Sequence, residues 1–118
     1  NIEFEASGPG EAQLPRNLFD SVAENLLENA RRKRINESNI AIRLSIDTNE
    51  HIKLLVCDRG SAIKSEIVAK LFNQPVSTEQ GTGIGLYQAY RQAQSAGFDL
   101  ILARNQDGAV CFSLASRN

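Results

Sequence analysis

The stretch EQGTGIGLYQAYRQAQ, residues 79–94, sets three glycines, Gly81, Gly83 and Gly85, at alternate positions directly before a helical pattern. Glycine is entropically costly to order, by roughly 0.5–1 kcal/mol each relative to alanine in a helix. Alternating glycines permit positive φ and leave backbone amides uncovered. Here they also lead into a helix N-terminus with its partial positive charge, as phosphate-binding loops do. An ordinary flexible loop and N-cap would read the same way. The pattern is not the dinucleotide fingerprint, which needs two residues before its third glycine, and no Gly-Lys-Ser/Thr follows to make a P-loop.

Outward from this stretch, GLYQAYRQAQSA (85–96) reads as a long helix closed by Gly97 as a C-cap. The preceding QPVSTEQGTG (74–83) is polar and glycine-rich and predicts a mobile loop. The two runs after the helix, FDLILAR (98–104) and AVCFSLA (109–115), predict a hairpin around Asp107-Gly108. Both are nearly apolar throughout, so at least one strand is central. Near the N-terminus IEFEA (2–6) alternates as a short strand, and GPGEAQLP (8–15) is a loop. From Pro15 to about Arg34, Leu18, Phe19, Val22, Ala23, Leu26, Leu27 and Ala30 recur at helical spacing. AIRLSID (41–47) and IKLLVCD (52–58) read as a second hairpin, with NESN (36–39) a turn before it and a short helix near SEIVAKLF (65–72) after it. The pattern gives about five strands and about three helices, hence an α/β two-layer sandwich: a mixed sheet with helices on one face.

The chain has 118 residues, one domain's worth, of which 42% are apolar and 23% charged. Thirteen basic and 14 acidic side chains leave a net charge of −1, which excludes a general electrostatic grip on nucleic acid. The basic run RRKR (31–34) ends the first helix and reads as charge complementing its dipole. Cys57 and Cys111 lie in separate strand-like runs without a CxxC or Cys/His cluster. We expect two buried thiols in a reducing compartment, with a disulfide as the alternative. No apolar run approaches the length of a membrane span. The start at Asn1, in a chain without methionine, leads us to expect a piece of a longer protein.

Three further features carry chemistry. Asn25 and Asn29 are four apart and share one helix face. They are half-exposed surface amides or, if they face a cleft, neutral hard ligands suited to Mg²⁺ held jointly with phosphates. DRGSAI (58–63) ends a strand. Asp58 either starts a turn or points its carboxylate into the crevice where α/β sheets bind ligands. The third is the glycine stretch itself.

Taken in order, NLLENA on a helix, DRGSAI after a strand, Leu71-Phe72 between, and GTGIGL opening a helix resemble the N, G1, F and G2 boxes of the GHKL nucleotide-binding superfamily. The resemblance runs from about Leu14 to Leu114 and is strongest to the catalytic and ATP-binding domain of bacterial sensor histidine kinases. It implies the Bergerat-type ATP-binding fold, with ATP and Mg²⁺ as ligands. It implies that Asn29 binds Mg²⁺, with Asn25 the polar residue one turn before it, and that Arg32 stands where a phosphate-contacting lysine is common. Asp58 would recognise adenine, with Gly60 the G1 glycine and Ile63 an apolar wall of the purine pocket. Residues 64–80 would form the ATP lid. Gly81, Thr82, Gly83, Ile84, Gly85 and Leu86 would bring backbone to the phosphates.

Relatives that hydrolyse ATP carry glutamate where Asn25 stands, and an amide cannot act as a base. The resemblance therefore implies a protein-histidine kinase domain, cytoplasmic, that donates the γ-phosphoryl group to a histidine on an upstream dimerisation segment. A response-regulator receiver domain would be the further partner. The only histidine, His51, lies in a predicted turn and is not an acceptor candidate. Ala62 replaces a second G1 glycine, Lys33 stands where many kinases carry an aromatic residue, and the lid is short. Those departures motivate the alternative of a nucleotide-sensing interaction module without phosphotransfer.

Overall fold

The computed structural model describes residues 2–8, 15–33, 37, 40–49, 51–73, 77–78, 81–82 and 84–116. In chain order the elements are β1 (Ile2–Ser7), α1 (Arg16–Lys33), β2 (Ile42–Asp47), β3 (Lys53–Asp58), α2 (Ser65–Val68), β4 (Ser77–Thr78), β5 (Gly81–Thr82), α3 (Ile84–Ser95), β6 (Phe98–Gln106) and β7 (Ala109–Ser116). Five strands make one sheet in the order β1-β2-β3-β7-β6. Only β1 and β2 run parallel; the other neighbours are antiparallel. Both expected hairpins are present, and β7 of the second is an interior strand. The expected mixed sheet with helices on one face is the observed architecture.

Alternation along the strands decides what faces the helices. Leu54, Val56 and Asp58 of β3 point inward, as do Val110, Phe112 and Leu114 of β7 and Phe98 and Leu100 of β6. Against them α1 lays Leu18, Phe19, Val22 and Leu26, and α3 lays Leu86, Ala89 and Ala93. The small residues of α3 let it approach α1 and the sheet closely, and Ser21 Oγ donates to Gln92 Oε1 at 2.9 Å across the two helices. Gly97, at φ 80°, ends α3 in the left-handed conformation that a side chain resists, and Gly108, at φ 87°, makes the β6–β7 turn.

Three expectations change. The helix near 65–72 is a single turn, after which Leu71 and Phe72 turn back into the core: Phe72 stacks on Tyr90 at 5.0 Å and meets Phe112 edge-on at 6.3 Å. The stretch predicted to be a loop contains the two-residue strands β4 and β5, paired through Ser77–Thr82 and Thr78–Gly81. Cys57 and Cys111 are not two thiols; they are joined as a disulfide. They are register partners on adjacent strands, Cα atoms 4.1 Å apart, half-buried on the sheet face away from the helices. Among the described residues no helix is long and apolar enough to cross a membrane.

Leu26, 1% exposed, is the centre of the α1 contact with the sheet, whereas Phe4 on the edge strand is 64% exposed. Leu26→Ala is expected to lower the free energy of unfolding by about 2–5 kcal/mol in urea titration. Phe4→Ser should change it by less than about 0.5 kcal/mol. A comparable loss at Phe4 would mean that this strand is covered in solution.

Candidate functional site

Eight residues along α1 is a rise of about 12 Å, and steps of four keep to one stripe of a helix. Asn25, Asn29 and Lys33 occupy such a stripe. Its upper end meets the start of α3: a Cβ placed on Gly85 would come within 2.9 Å of Asn25 Oδ1. Gly85 has no left-handed φ. Its service is therefore space for the Asn25 amide beside the helix N-terminus, rather than the positive φ that alternating glycines suggest. Asn29 is half-buried in the middle of the stripe. β5, which carries Gly81 and Thr82, lies against α1.

The lower end of the stripe reaches the end of β3. Asp58 continues the inward alternation of Leu54 and Val56, so its carboxylate arrives beneath the last turn of α1, 4% exposed. Lys33, 6% exposed, places Nζ 3.2 Å from Asp58 Oδ1 and 3.3 Å from Oδ2. Two buried charges compensate one another here; either alone would carry a large desolvation cost. Lys33 therefore does more than complement a helix dipole. Arg31 and Arg32 follow the surface reading: both are exposed and both bridge Glu28, at 3.6 Å.

The turn after Asp58 is held through its backbone N–H groups, each of which finds an acceptor outside the turn. Arg59 N–H donates to Ala41 O at 3.1 Å, and Gly60 N–H to Asp58 Oδ1 at 2.9 Å. Ser61 N–H donates to Glu37 Oε1 at 2.8 Å, and the Ser61 hydroxyl to Oε2 at 2.7 Å. Ala62 N–H donates to Asp107 Oδ1 at 2.9 Å. Asn105 grips Ile63 on both sides, accepting its N–H at 2.8 Å and donating to its carbonyl at 2.9 Å, as a neighbouring strand would. Gly108 N–H donates to Gly60 O at 2.9 Å. Gly60 is buried so tightly that a Cβ would sit 2.9 Å from Ile40 Cδ1 and 3.0 Å from Asp58 Oδ1. Ile63 packs at the margin of the core.

Asn25 and Asn29 thus lie on one stripe of α1 that runs from the start of α3 to Asp58 at the end of β3, with Gly60 and Ile63 in the turn that follows. Ile84 opens α3, and Leu86 is buried in its first turn. Arg32 lies on the outer side of α1, and Gly83 lies outside the described residues. Sequence reading missed Glu37, Asn105 and Asp107, whose polar side chains read as turn residues; only the fold brings them to residues 61–63.

The chain matches, over residues 15–116, the family of histidine kinase-, DNA gyrase B- and HSP90-like ATPases. It belongs to that family. It is 28% identical to the adaptive-response sensory kinase SasA of Synechococcus sp. (strain CC9902), across 96% of this chain and 32% of that protein, so it spans about a third of the relative's length. The catalytic domain of the histidine kinase ThkA superposes with a TM-score of 0.76 at 21% identity, covering 98% of this chain and 77% of that one. The Acinetobacter baumannii histidine kinase AdeS superposes at 0.74 with 18% identity, covering 99% of this chain and 54% of that one. At those identities the two structures establish the fold.

Asn105→Ala removes both hydrogen bonds to Ile63, one of which leaves a part-buried amide unpaired. We expect a loss of about 1–3 kcal/mol and faster amide hydrogen exchange at Ile63 and Ala62, with exchange in α3 little changed. Unaltered exchange at Ile63 would show that the turn holds itself without the hairpin.

Proposed function

We propose that this chain binds Mg-ATP and donates its γ-phosphoryl group to a histidine on an upstream dimerisation segment, from which a response-regulator receiver domain takes it. The observation that carries this reading is the α1 stripe. Asn25 abuts the N-terminus of α3, where backbone N–H groups and the helix dipole favour phosphate. Asp58 lies at the far end, where a carboxylate suits an exocyclic amine. Asn29, between the two, is the metal ligand in this reading. Among the described residues no group of three or more His, Cys, Asp or Glu gathers. One neutral amide fits Mg²⁺, which keeps its waters and takes its other ligands from phosphates. When bound, the ion neutralises charge on the phosphates.

Transfer is favoured over hydrolysis by what surrounds position 25. An amide takes no proton from water. The nearest carboxylates on the helix, Glu24 and Glu28, are exposed, and Glu28 is engaged by Arg31 and Arg32. An imidazole nitrogen needs no such base: its lone pair forms the new N–P bond as the bond from phosphorus to the β-phosphate oxygen breaks and ADP leaves. In this reading Arg32 turns from Glu28 toward the phosphates, an exposed ion pair costing little to break. The resident His51 is exposed in the β2–β3 turn and is no part of the stripe. A nucleotide-sensing module without transfer is the second reading, favoured by the Lys33 ammonium seated on Asp58.

The test supplies the upstream helical segment and γ-labelled ATP. Wild type should label a histidine of that segment, and Asn29→Ala should reduce the rate by about tenfold to a hundredfold or more. Nucleotide binding without label in wild type would favour the sensing module, and equal labelling by Asn29→Ala would remove the metal role.

A further inference from the structure

A lysine in the last turn of a helix ordinarily carries its ammonium into water. Lys33 does the reverse. Its Nζ has Asp58 Oδ1 at 3.2 Å, Asp58 Oδ2 at 3.3 Å and Ser61 O at 3.3 Å. An ammonium has three hydrogens, so these acceptors use all of its donors. The carboxylate is covered to match, with Oδ1 also accepting Gly60 N–H. The stem is held in place: a Cβ on Gly60 would lie 3.3 Å from Lys33 Cδ.

We infer that Lys33 is a specificity-determining residue that stands in for the amino group of a base, occupying on Asp58 the place a purine's 6-amino donor takes. The inference rests on the nucleotide-binding reading above. A carboxylate with no cation beside it accepts from a 6-amino group and repels a 6-oxo group, lone pairs against lone pairs. With Lys33 beside it the pair offers both an acceptor and, once the ammonium leaves Ser61 O, a donor. Two consequences follow for binding. A 6-aminopurine competes with an internal donor and binds more weakly than Asp58 alone allows. A 6-oxopurine, which a lone carboxylate rejects, is tolerated.

The test is calorimetric titration of the 118-residue chain, wild type and Lys33→Met, with the Mg²⁺ salts of ATP and inosine triphosphate, folding being checked by circular dichroism. Wild type should prefer ATP by less than about tenfold. Lys33→Met should bind ATP about tenfold tighter and inosine triphosphate no tighter, so that the preference rises by about tenfold or more. A merely structural lysine would move both nucleotides together. That result, or unchanged or weaker ATP binding by the folded variant, overturns the inference. Removing the cation strands a buried carboxylate, so the wild-type Lys33 Cε resonance is followed by NMR as well. ATP should move it and inorganic triphosphate, which has no base, should not; a signal unmoved at saturating ATP overturns the inference whether or not the variant folds. Failure of both proteins to bind either nucleotide removes the nucleotide reading and the inference with it. Binding that is indifferent to Lys33 removes the inference alone.

Discussion

The ion pair between Lys33 and Asp58 joins the end of α1 to the end of β3, at the point where helix stripe and strand end meet. Both groups are nearly sealed from water. Such a pair contributes little net stability, since attraction between the charges offsets the cost of burying them. Its effect is on position. With the ammonium reaching Ser61 O as well, the helix terminus, the strand terminus and the turn that follows it become one unit.

Around that unit the protein gives each backbone donor from Arg59 to Ile63 a partner, three of them from side chains distant in sequence. A turn held so completely is a fixed wall. At the other end of the stripe α3 lies close against α1, brought there by Ala89 and Ala93 and by the missing side chain of Gly85. Phe72, stacked on Tyr90 and edge-on to Phe112, anchors the chain that follows α2.

Much of this was legible in the sequence. The period of α1, the two hairpins and the turn at Asp107-Gly108 are local signals, and the sandwich follows from their order. So does the placing of Asn25 and Asn29 on one face, because helical spacing alone determines it. What stayed hidden depends on which strands become neighbours. Cys57 and Cys111 lie 54 residues apart, and nothing in either run says that β3 and β7 pair in register. Asn105 and Asp107 read as turn residues because their partners lie more than forty residues away. Lys33 stood out as a departure from the family pattern, but its pairing with Asp58 was hidden: in RRKR it is one of a row of charges, and its partner lies 25 residues away. The two-residue strands are too short for any periodicity to show.

The proposed function requires one stripe of α1 and the turn after β3 to line a single nucleotide site. Backbone amide NMR during titration with Mg-ATP tests it most directly. Saturable shifts are expected at Asn25, Asn29, Asp58, Gly60, Ile63 and Gly85, with β1 and the outer residues of β6 unmoved. Shifts confined to other surfaces, or none at saturating nucleotide, would contradict it.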